Sequence, residues 1–234
     1  MGNPTPIWIL ERDRMFPNRK TNAELFEELV IMKEEYYDME PTKLILTDVD
    51  GVLLNWAAGF DAWMLDKGFC HVPGNEHAYL MNERFIDVEY DQGKQLIREF
   101  NESEAVGNLV PFRDAVEGVH KLAKAGYKFG VISSHSDVPH ACAQREHNLK
   151  EHFGDVFEFF VHLPTGADKD DALEPYRDSG LWWIEDKTEN AIAGAVRGLR
   201  ALLMDHEHNN TDKPGRDTIR VFDWNSIVTL VLKD

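Results

Sequence analysis

Two aspartates, Asp48 and Asp50, lie on either side of a single valine, directly after a short apolar run and directly before Gly51. The run, 44–46, has the composition of a strand that is buried on both faces of a parallel sheet. Open α/β sheets bind ligands at the carboxyl ends of such strands, where a bend at Gly51 lets both carboxylates border one crevice. One carboxylate could attack a substrate there, the other could carry protons, and the pair could hold a divalent cation.

Other interpretations of this short stretch are structural. An EF-hand loop also contains Asp-x-Asp, but its glycine is the sixth residue and a glutamate is the twelfth. Gly51 is the fourth residue here and apolar residues follow it, which excludes the EF-hand. Asp50-Gly51 could still be an ordinary turn, and Asp48 a helix cap. The rest of the chain must therefore decide between these interpretations and a catalytic one.

Composition limits the classes of partner. The chain has 234 residues, 43% of them hydrophobic, and a formal net charge of −17. This charge argues against a nucleic-acid backbone or an anionic membrane as the main partner, but not against a small phosphorylated substrate. Cys70 and Cys142 lack the spacing of a zinc or disulfide framework. With no membrane-length apolar run and no signal-peptide pattern, we expect a cytoplasmic protein.

The flanks of the central strand predict helices. Thr21 and Glu24 have capping-box spacing ahead of an apolar-periodic run, which predicts a helix over 21–37. After the strand, a second predicted helix carries Trp56, Phe60 and Trp63 on one face, since their spacings are four and three. Such a stripe is more often core than binding site. Residues 66–110 look like an inserted, mostly helical segment.

From residue 112 onwards, helical and strand-like segments alternate regularly. We predict helices over 113–125, 137–149, 169–176 and 189–196, strands over 127–133, 156–162, 181–184, 199–204 and near 219–221, and a last helix capped by Asp223. Alternation of this length indicates βαβ units and hence a parallel, doubly wound sheet.

Further polar residues fall where these predicted strands end. One strand ends in Ser133, another in Glu185 and Asp186, and Lys169 opens the helix that precedes the second of these strands. Taken singly, they read as a turn, a helix cap and a solvated surface lysine. The tips of parallel strands lie on one edge of a sheet, however, so we expect these residues to converge with Asp48 and Asp50 on a single crevice.

This set resembles the four motifs of the haloacid-dehalogenase-like (HAD-like) phosphatase superfamily, in the superfamily's order. Motif one is 48–52, motif two 131–133, motif three Lys169, and motif four Glu185-Asp186 followed by Asn190. The resemblance covers 43–232. It implies an α/β fold with a doubly wound parallel sheet, a HAD-like Rossmannoid core, and a small helical cap inserted after the first strand. The expected division is an appendage over 1–40, a core over 41–55 and 111–234, and a cap over 56–110.

The resemblance also implies roles for the motif residues. Asp48 would attack phosphorus and become an aspartyl-phosphate, while Asp50 would protonate the leaving oxygen and later activate water. Mg²⁺ would be held by Asp48, the backbone carbonyl of Asp50, and Asp186, with Glu185 serving directly or through water. Ser133 would bind a phosphoryl oxygen, and Lys169 would balance charge. Because the dehalogenase branch lacks an aspartate at the position of Asp50, its presence favours phosphoryl transfer.

Within the superfamily, the chain looks most like the 5'(3')-deoxyribonucleotidase group. The shared features are the motif-one segment with its following aromatic, the helical insertion, Ile184 to Lys187, and the segments 202–209 and 220–224. In that group an aromatic at the position of Trp56 lines the base pocket. Candidate substrate-binding residues are therefore Trp56, Phe60, Ser134 and His135. The chain departs from the group at Ala167, where an arginine is usual, and in the residues after motif two.

The sequence therefore predicts a Mg²⁺-dependent phosphomonoesterase that acts on a nucleoside monophosphate, without a membrane or nucleic-acid partner. Its oligomeric state, including a homodimer, stays open. The alternatives are a phosphatase for another small phosphoester, such as a sugar phosphate or a polynucleotide end, a phosphoacceptor signalling module of the receiver type, and a binding protein with an inactive site. A receiver places its acidic pair on the first strand and the phosphorylated aspartate on the third, unlike the arrangement here.

Overall fold

The computed structural model describes residues 43–233. The predicted appendage over 1–40, with its helix over 21–37, lies outside the described residues.

The core is one sheet of six parallel strands in the order β3-β2-β1-β4-β5-β6. The strands are β1 (Leu44–Thr47), β2 (Lys128–Ser133), β3 (Phe157–His162), β4 (Trp182–Glu185), β5 (Arg200–Met204) and β6 (Thr218–Val221). The order runs outwards from β1 in both directions, so the chain reverses its winding at β1. This confirms the predicted doubly wound α/β fold, in which the strand-order reversal creates a crevice at the carboxyl ends of the central strands.

The helices that connect the strands cover both faces of the sheet. They are α1 (Trp56–Asp66), α2 (Met81–Arg84), α3 (Tyr90–Asn101), α4 (Arg113–Lys124), α5 (Pro139–Phe153), α6 (Asp170–Leu173), α7 (Thr188–Val196) and α8 (Trp224–Leu232). Because both faces are covered, the central strands are almost wholly apolar and buried, with Ile45, Leu46 and Ile184 all at 0% exposure. The Asp223 side chain accepts a hydrogen bond from the Ser226 backbone and caps α8, as predicted.

One predicted helix, 137–149, has different bounds in the structure. Helix α5 extends four residues beyond Leu149, to Phe153, and the φ of Gly154 is +73°. It begins at Pro139, since proline suits a first turn, whose backbone N–H groups lack intrahelical partners. The buried Arg145 lies near the middle of this longer helix.

Between β1 and α4 the chain forms α1, α2, α3 and a 3-10 helix, Glu104–Asn108. An aromatic cluster packs these elements together. Trp56 stacks on Phe60 with ring centroids 4.8 Å apart, and Phe100 of α3 meets both rings edge-on. Phe60 has no exposed surface. The aromatic stripe of α1 is therefore largely a packing surface.

Across residues 43–233, the structure contains no helix with the length and apolar composition that crossing a membrane requires.

Candidate active site

The central strands bring the predicted residues to one edge of the sheet. Asp48 follows β1, Ser133 ends β2 and Glu185 ends β4, and β1 pairs with both of the other strands. The Asp48 backbone N–H donates to the Ile184 carbonyl at 2.9 Å, which continues the β1–β4 ladder by one residue. Asp48 thus lies beside Glu185 because the strand register fixes it there.

Lys169 joins these two carboxylates. Its Nζ lies 2.9 Å from Asp48 Oδ1 and 2.7 Å from Glu185 Oε2, and the lysine is 1% exposed. Burial lowers the pKa of Lys169, but the charges of Asp48 and Glu185 outweigh burial and raise the pKa above its usual range. The ammonium group therefore stays charged at any physiological pH. Lys169 is a fixed cation in the crevice, not a solvated surface lysine.

Glu185 is fully buried and its two carboxylate oxygens are both engaged. Oε2 accepts from Lys169, while Oε1 accepts from the backbone N–H groups of Asp186 and Lys187. Burial and the neighbouring charge of Asp48 raise the pKa of Glu185, against the lowering effect of Lys169. This bonding favours Glu185 as the residue that holds Lys169, and makes it the weakest of the predicted direct metal ligands.

Asp186 lies on the other side of the crevice and has its own partners. His208 Nε2 lies 3.3 Å from Asp186 Oδ2, and Asn209 Nδ2 donates to the Asp186 carbonyl at 2.6 Å. Although burial acts in the opposite direction, the hydrogen bond from His208 lowers the pKa of Asp186. Asp186 is therefore held ionised and oriented, as a ligand of a hard cation should be.

The donor set fits a hard divalent cation. Oxygen atoms of Asp48, Glu185 and Asp186 all lie within 4.8 Å of one another. Gly51 keeps this space open, since a Cβ at its position (φ +76°) would lie 2.1 Å from Asp186 Oδ2. Carboxylate and backbone oxygens without nitrogen or sulfur suit Mg²⁺ or Ca²⁺. The residues present therefore fit the cation that the sequence predicts, with Asp48 and Asp186 as its best carboxylate ligands.

Asp50 makes an ion pair that the sequence analysis did not foresee. Arg145 of α5 donates from Nη1 to Asp50 Oδ1 and from Nη2 to Oδ2, the second at 3.3 Å. Arg145 is fully buried, while the Asp50 side chain keeps 24% of its surface exposed. Burial raises the pKa of Asp50 to about 6, since Arg145 offsets only part of that effect and Asp48 adds to it. A carboxyl group with such a pKa suits proton transfer near neutral pH.

Ser133 of motif two and the following Ser134 carry buried hydroxyl groups. Ser133 is 1% exposed, and within the described residues neither its Oγ nor that of Ser134 has a hydrogen-bond partner. An unpaired buried hydroxyl costs free energy unless a ligand or water satisfies it. A phosphoryl oxygen is a suitable acceptor for both.

Two predicted substrate-binding residues are buried in this structure. Phe60 is 0% exposed and packs within the aromatic cluster, and His135 is 1% exposed. Burial lowers the pKa of His135 to about 3, which keeps the ring neutral. Their contact with a substrate stays a prediction. Trp56 is partly exposed, and its indole N–H donates to Asn101 Oδ1 at 2.8 Å.

Several residues around the crevice were missed at the sequence level. Asn101 donates to the His135 carbonyl as well as accepting from Trp56, and so links α1 and α3 to the loop after motif two. Tyr79, 61% exposed, has its ring centroid 5.7 Å from that of His208. The sequence contains one indication that Arg145 is buried: four residues before and after it lie the apolar Ala141 and Leu149, on the same helix face. The others depend on tertiary contacts that no local pattern indicates.

Comparison with known proteins supports the fold. No family model matches the chain. An uncharacterised 32.4 kDa protein from the Gp30–rIII intergenic region of enterobacteria phage T4 is 24% identical over 195 residues, covering 81% of this chain and 69% of its own length.

Solved structures match more of the chain at lower identity. A predicted phosphoglycolate phosphatase from Haemophilus somnus 129PT has a TM-score of 0.55 and 16% identity, covering 82% of this chain and 99% of its own. An L-2-haloacid dehalogenase from Xanthobacter autotrophicus, with chloropropionic acid covalently bound, has a TM-score of 0.53 and 12% identity, covering 82% and 98%. The chain thus has the α/β fold of HAD-like hydrolases. Because that fold serves phosphatases and dehalogenases alike, the reaction must be argued from the residues of the site.

Proposed function

We propose that the protein is a metal-dependent phosphomonoesterase that works through an aspartyl-phosphate on Asp48. The observation that carries the proposal is the pairing of Asp48 with the buried cation Lys169, beside a second acidic residue, Asp186, and the unpartnered hydroxyl of Ser133. A carboxylate nucleophile, a fixed positive charge and free hydrogen-bond donors are what transfer of a phosphoryl group needs.

The proposed reaction has two steps. An oxygen of Asp48 forms a bond to phosphorus as the bond to the leaving alcohol oxygen breaks, and Asp50 gives its proton to that oxygen. Asp50, now ionised, takes a proton from a water molecule, which attacks the phosphorus and releases phosphate and free Asp48. The pKa of Asp50, raised to about 6, lets one group serve both as acid and as base.

A cation would neutralise charge in this crevice. Asp48, Glu185 and Asp186 bring about three negative charges, Lys169 returns about one, and a phosphate dianion adds about two more. Two like charges ~4 Å apart repel by roughly 4 kcal/mol at an effective dielectric of 20. Asp48, Asp186 and the carbonyl of Asp50 would hold Mg²⁺, which supplies electrostatic stabilisation of the transferring oxygens.

For the substrate, we propose a nucleoside monophosphate. The support is the resemblance to the deoxyribonucleotidase group and the aromatic side chains near the crevice, Trp56 and Tyr79, on which a nucleobase could stack for about 1–3 kcal/mol. A second candidate is a small phosphoester without an aromatic part. It is favoured by the position of Trp56, which already stacks on Phe60, and by the structural similarity to a predicted phosphoglycolate phosphatase.

Phosphate release from p-nitrophenyl phosphate tests the reaction class. We expect turnover with Mg²⁺, its loss in EDTA, and a loss of about 10³-fold or more in Asp48→Asn, since the nucleophile is gone. Asp66→Asn is the matched control because Asp66 is an exposed residue at the end of α1. A wild-type protein as inert as Asp48→Asn would favour the signalling or binding alternatives. Turnover undiminished by EDTA would contradict the proposed use of a cation.

A screen of ribo- and deoxyribonucleoside monophosphates, sugar phosphates and phosphoglycolate then tests the substrate class. We expect the highest kcat/KM for a nucleoside monophosphate and a raised KM in Trp56→Ala or Tyr79→Ala. Equal activity on sugar phosphates, with KM unchanged in both variants, would favour the second candidate.

A further inference from the structure

Each aspartate of the motif-one pair has a buried cation of its own. Lys169 bonds Asp48, while Arg145 holds both carboxylate oxygens of Asp50. Arg145 reaches Asp50 from α5, across 95 positions of sequence, and is 0% exposed. A buried guanidinium group with parallel hydrogen bonds to a carboxylate fixes the plane of that carboxylate as well as its charge.

Contacts other than the ion pair also anchor α5. The side chains of Asn148 and His152, on the same helix, both bond the Leu109 carbonyl, at 3.0 and 3.2 Å. Helix α5 also packs its own apolar side chains, including Leu149 and Phe153, into the core. The group that Arg145 reaches from this helix is the carboxyl group of the proposed proton carrier.

We propose that Arg145 is a positioning residue, which orients Asp50 so that this carboxyl group can pass its proton to the leaving oxygen and then receive one from water. The inference rests on the proposed function. The Asp50 side chain keeps 24% exposure while Arg145 has none, so the carboxyl group stays accessible although the guanidinium bonds both of its oxygens. Proton transfer requires this fixed geometry, because a donor must lie within hydrogen-bond reach of the leaving oxygen.

The proposal predicts a specific pattern of substrate dependence. As Asp48 bonds to phosphorus, the alcohol oxygen leaves with the electron pair of the broken bond and accepts the proton of Asp50. A poor leaving group, such as an alkyl alcohol, needs that proton, while p-nitrophenolate leaves without it. Loss of the positioning residue should therefore slow the hydrolysis of alkyl phosphates and affect the hydrolysis of activated aryl phosphates much less.

The experiment compares Arg145→Met, Asp50→Asn and the double variant on aryl phosphates of graded leaving-group acidity and on an alkyl phosphate. The quantity is kcat/KM, which covers binding and formation of the aspartyl-phosphate and not its hydrolysis. We expect Arg145→Met to lose about 10²-fold or more on the alkyl ester, the usual contribution of a proton donor, and less than about tenfold on p-nitrophenyl phosphate. The double variant should be no slower than Asp50→Asn, since each of the two changes removes the same function.

Further variants separate positioning from folding. Arg145→Lys keeps the charge but cannot make the paired hydrogen bonds, so it should regain only part of the alkyl-ester activity. Arg98→Met changes an exposed arginine of α3 and should match wild type. If Arg145→Met does not fold, Arg145→Lys carries the same leaving-group comparison. Binding of inorganic vanadate, measured by calorimetry, should change little in a folded variant, because Asp48 and Lys169 are untouched.

These experiments distinguish a failure of the proposed function from a failure of the positioning role. A wild-type protein inactive on every phosphate ester would refute the proposed function. If the wild type is active and both Arg145→Met and Arg145→Lys show the same dependence on the leaving group as the wild type, that result would overturn the positioning role alone. So would a double variant whose losses multiply.

Discussion

At the scale of single residues, the site contains buried polar groups that differ in whether they have hydrogen-bond partners within the described residues. Lys169 and Glu185 satisfy each other, and His208 satisfies Asp186. The hydroxyl of Ser133 and the ring nitrogens of His135 have no hydrogen-bond partner within the described residues. Buried groups without partners are costly, so a site of this kind is less stable than it would be with a ligand bound.

His135 gives a testable dependence of stability on pH. Burial lowers its folded-state pKa to about 3, whereas in the unfolded chain the pKa of this histidine lies near the ordinary value of 6.5. Below pH 6.5 the unfolded state therefore binds a proton that the folded state does not, and stability falls as the pH falls. The loss from this group should be about 2 kcal/mol between pH 7 and pH 5.

Urea unfolding of wild type and His135→Asn at these two pH values checks the prediction. The variant should lose about 2 kcal/mol less on acidification, although its stability at pH 7 is lower. His77→Asn serves as the control, since the side chain of His77 is 74% exposed. Equal pH dependence in wild type and His135→Asn would show that His135 is not held neutral.

At the scale of elements, an aromatic cluster joins the helices inserted between β1 and α4. Phe60 of α1 packs against Trp63, Phe85 and Phe100, and Asn101 at the end of α3 bonds the His135 carbonyl, two residues after motif two. The packing of α1 and α3 is therefore coupled to the loop that follows β2. The same residues that gave a helical period of aromatics in the sequence provide this packing.

Phe60→Ala should lower the free energy of unfolding by about 3–5 kcal/mol, because it leaves a cavity in a fully buried cluster. Leu65→Ala, on the same helix but 49% exposed, should cost less than about 1 kcal/mol. Chemical denaturation of the two variants measures both values. A small loss in Phe60→Ala would mean that the cluster is looser than its burial indicates.

At the scale of the whole molecule, the sequence predicted those features that follow from local patterns. Apolar runs gave the strands, turn and cap residues gave their ends, and parallel topology then required the residues at the tips to meet. Arg145 and His208 could not be assigned partners in this way. Their contacts with Asp50 and Asp186 join segments that are far apart in sequence, and a helix or loop pattern does not indicate what lies opposite it.

The balance of charge over the whole molecule leads to a last prediction, on cation binding. A chain with a net charge of −17 gains stability from any added salt, because ions screen its self-repulsion. A cation bound by Asp48 and Asp186 adds a separate, saturable gain, about 2.7 kcal/mol at a concentration of 100 Kd. Mg²⁺ should therefore raise the unfolding midpoint more than Na⁺ at equal ionic strength, and EDTA should remove the excess.

Two neighbouring variants decide which carboxylates hold that cation. Asp186→Asn should weaken the Mg²⁺ dependence of the midpoint by about 10-fold or more in concentration. In Glu185→Gln the concentration dependence should stay close to wild type, since both oxygens of Glu185 already bond Lys169 and the backbone. Its starting stability should be lower, because Lys169 loses a buried counter-charge. Equal weakening in both variants would instead make Glu185 a direct ligand, and the tight bonding around it would then have to rearrange when the cation binds.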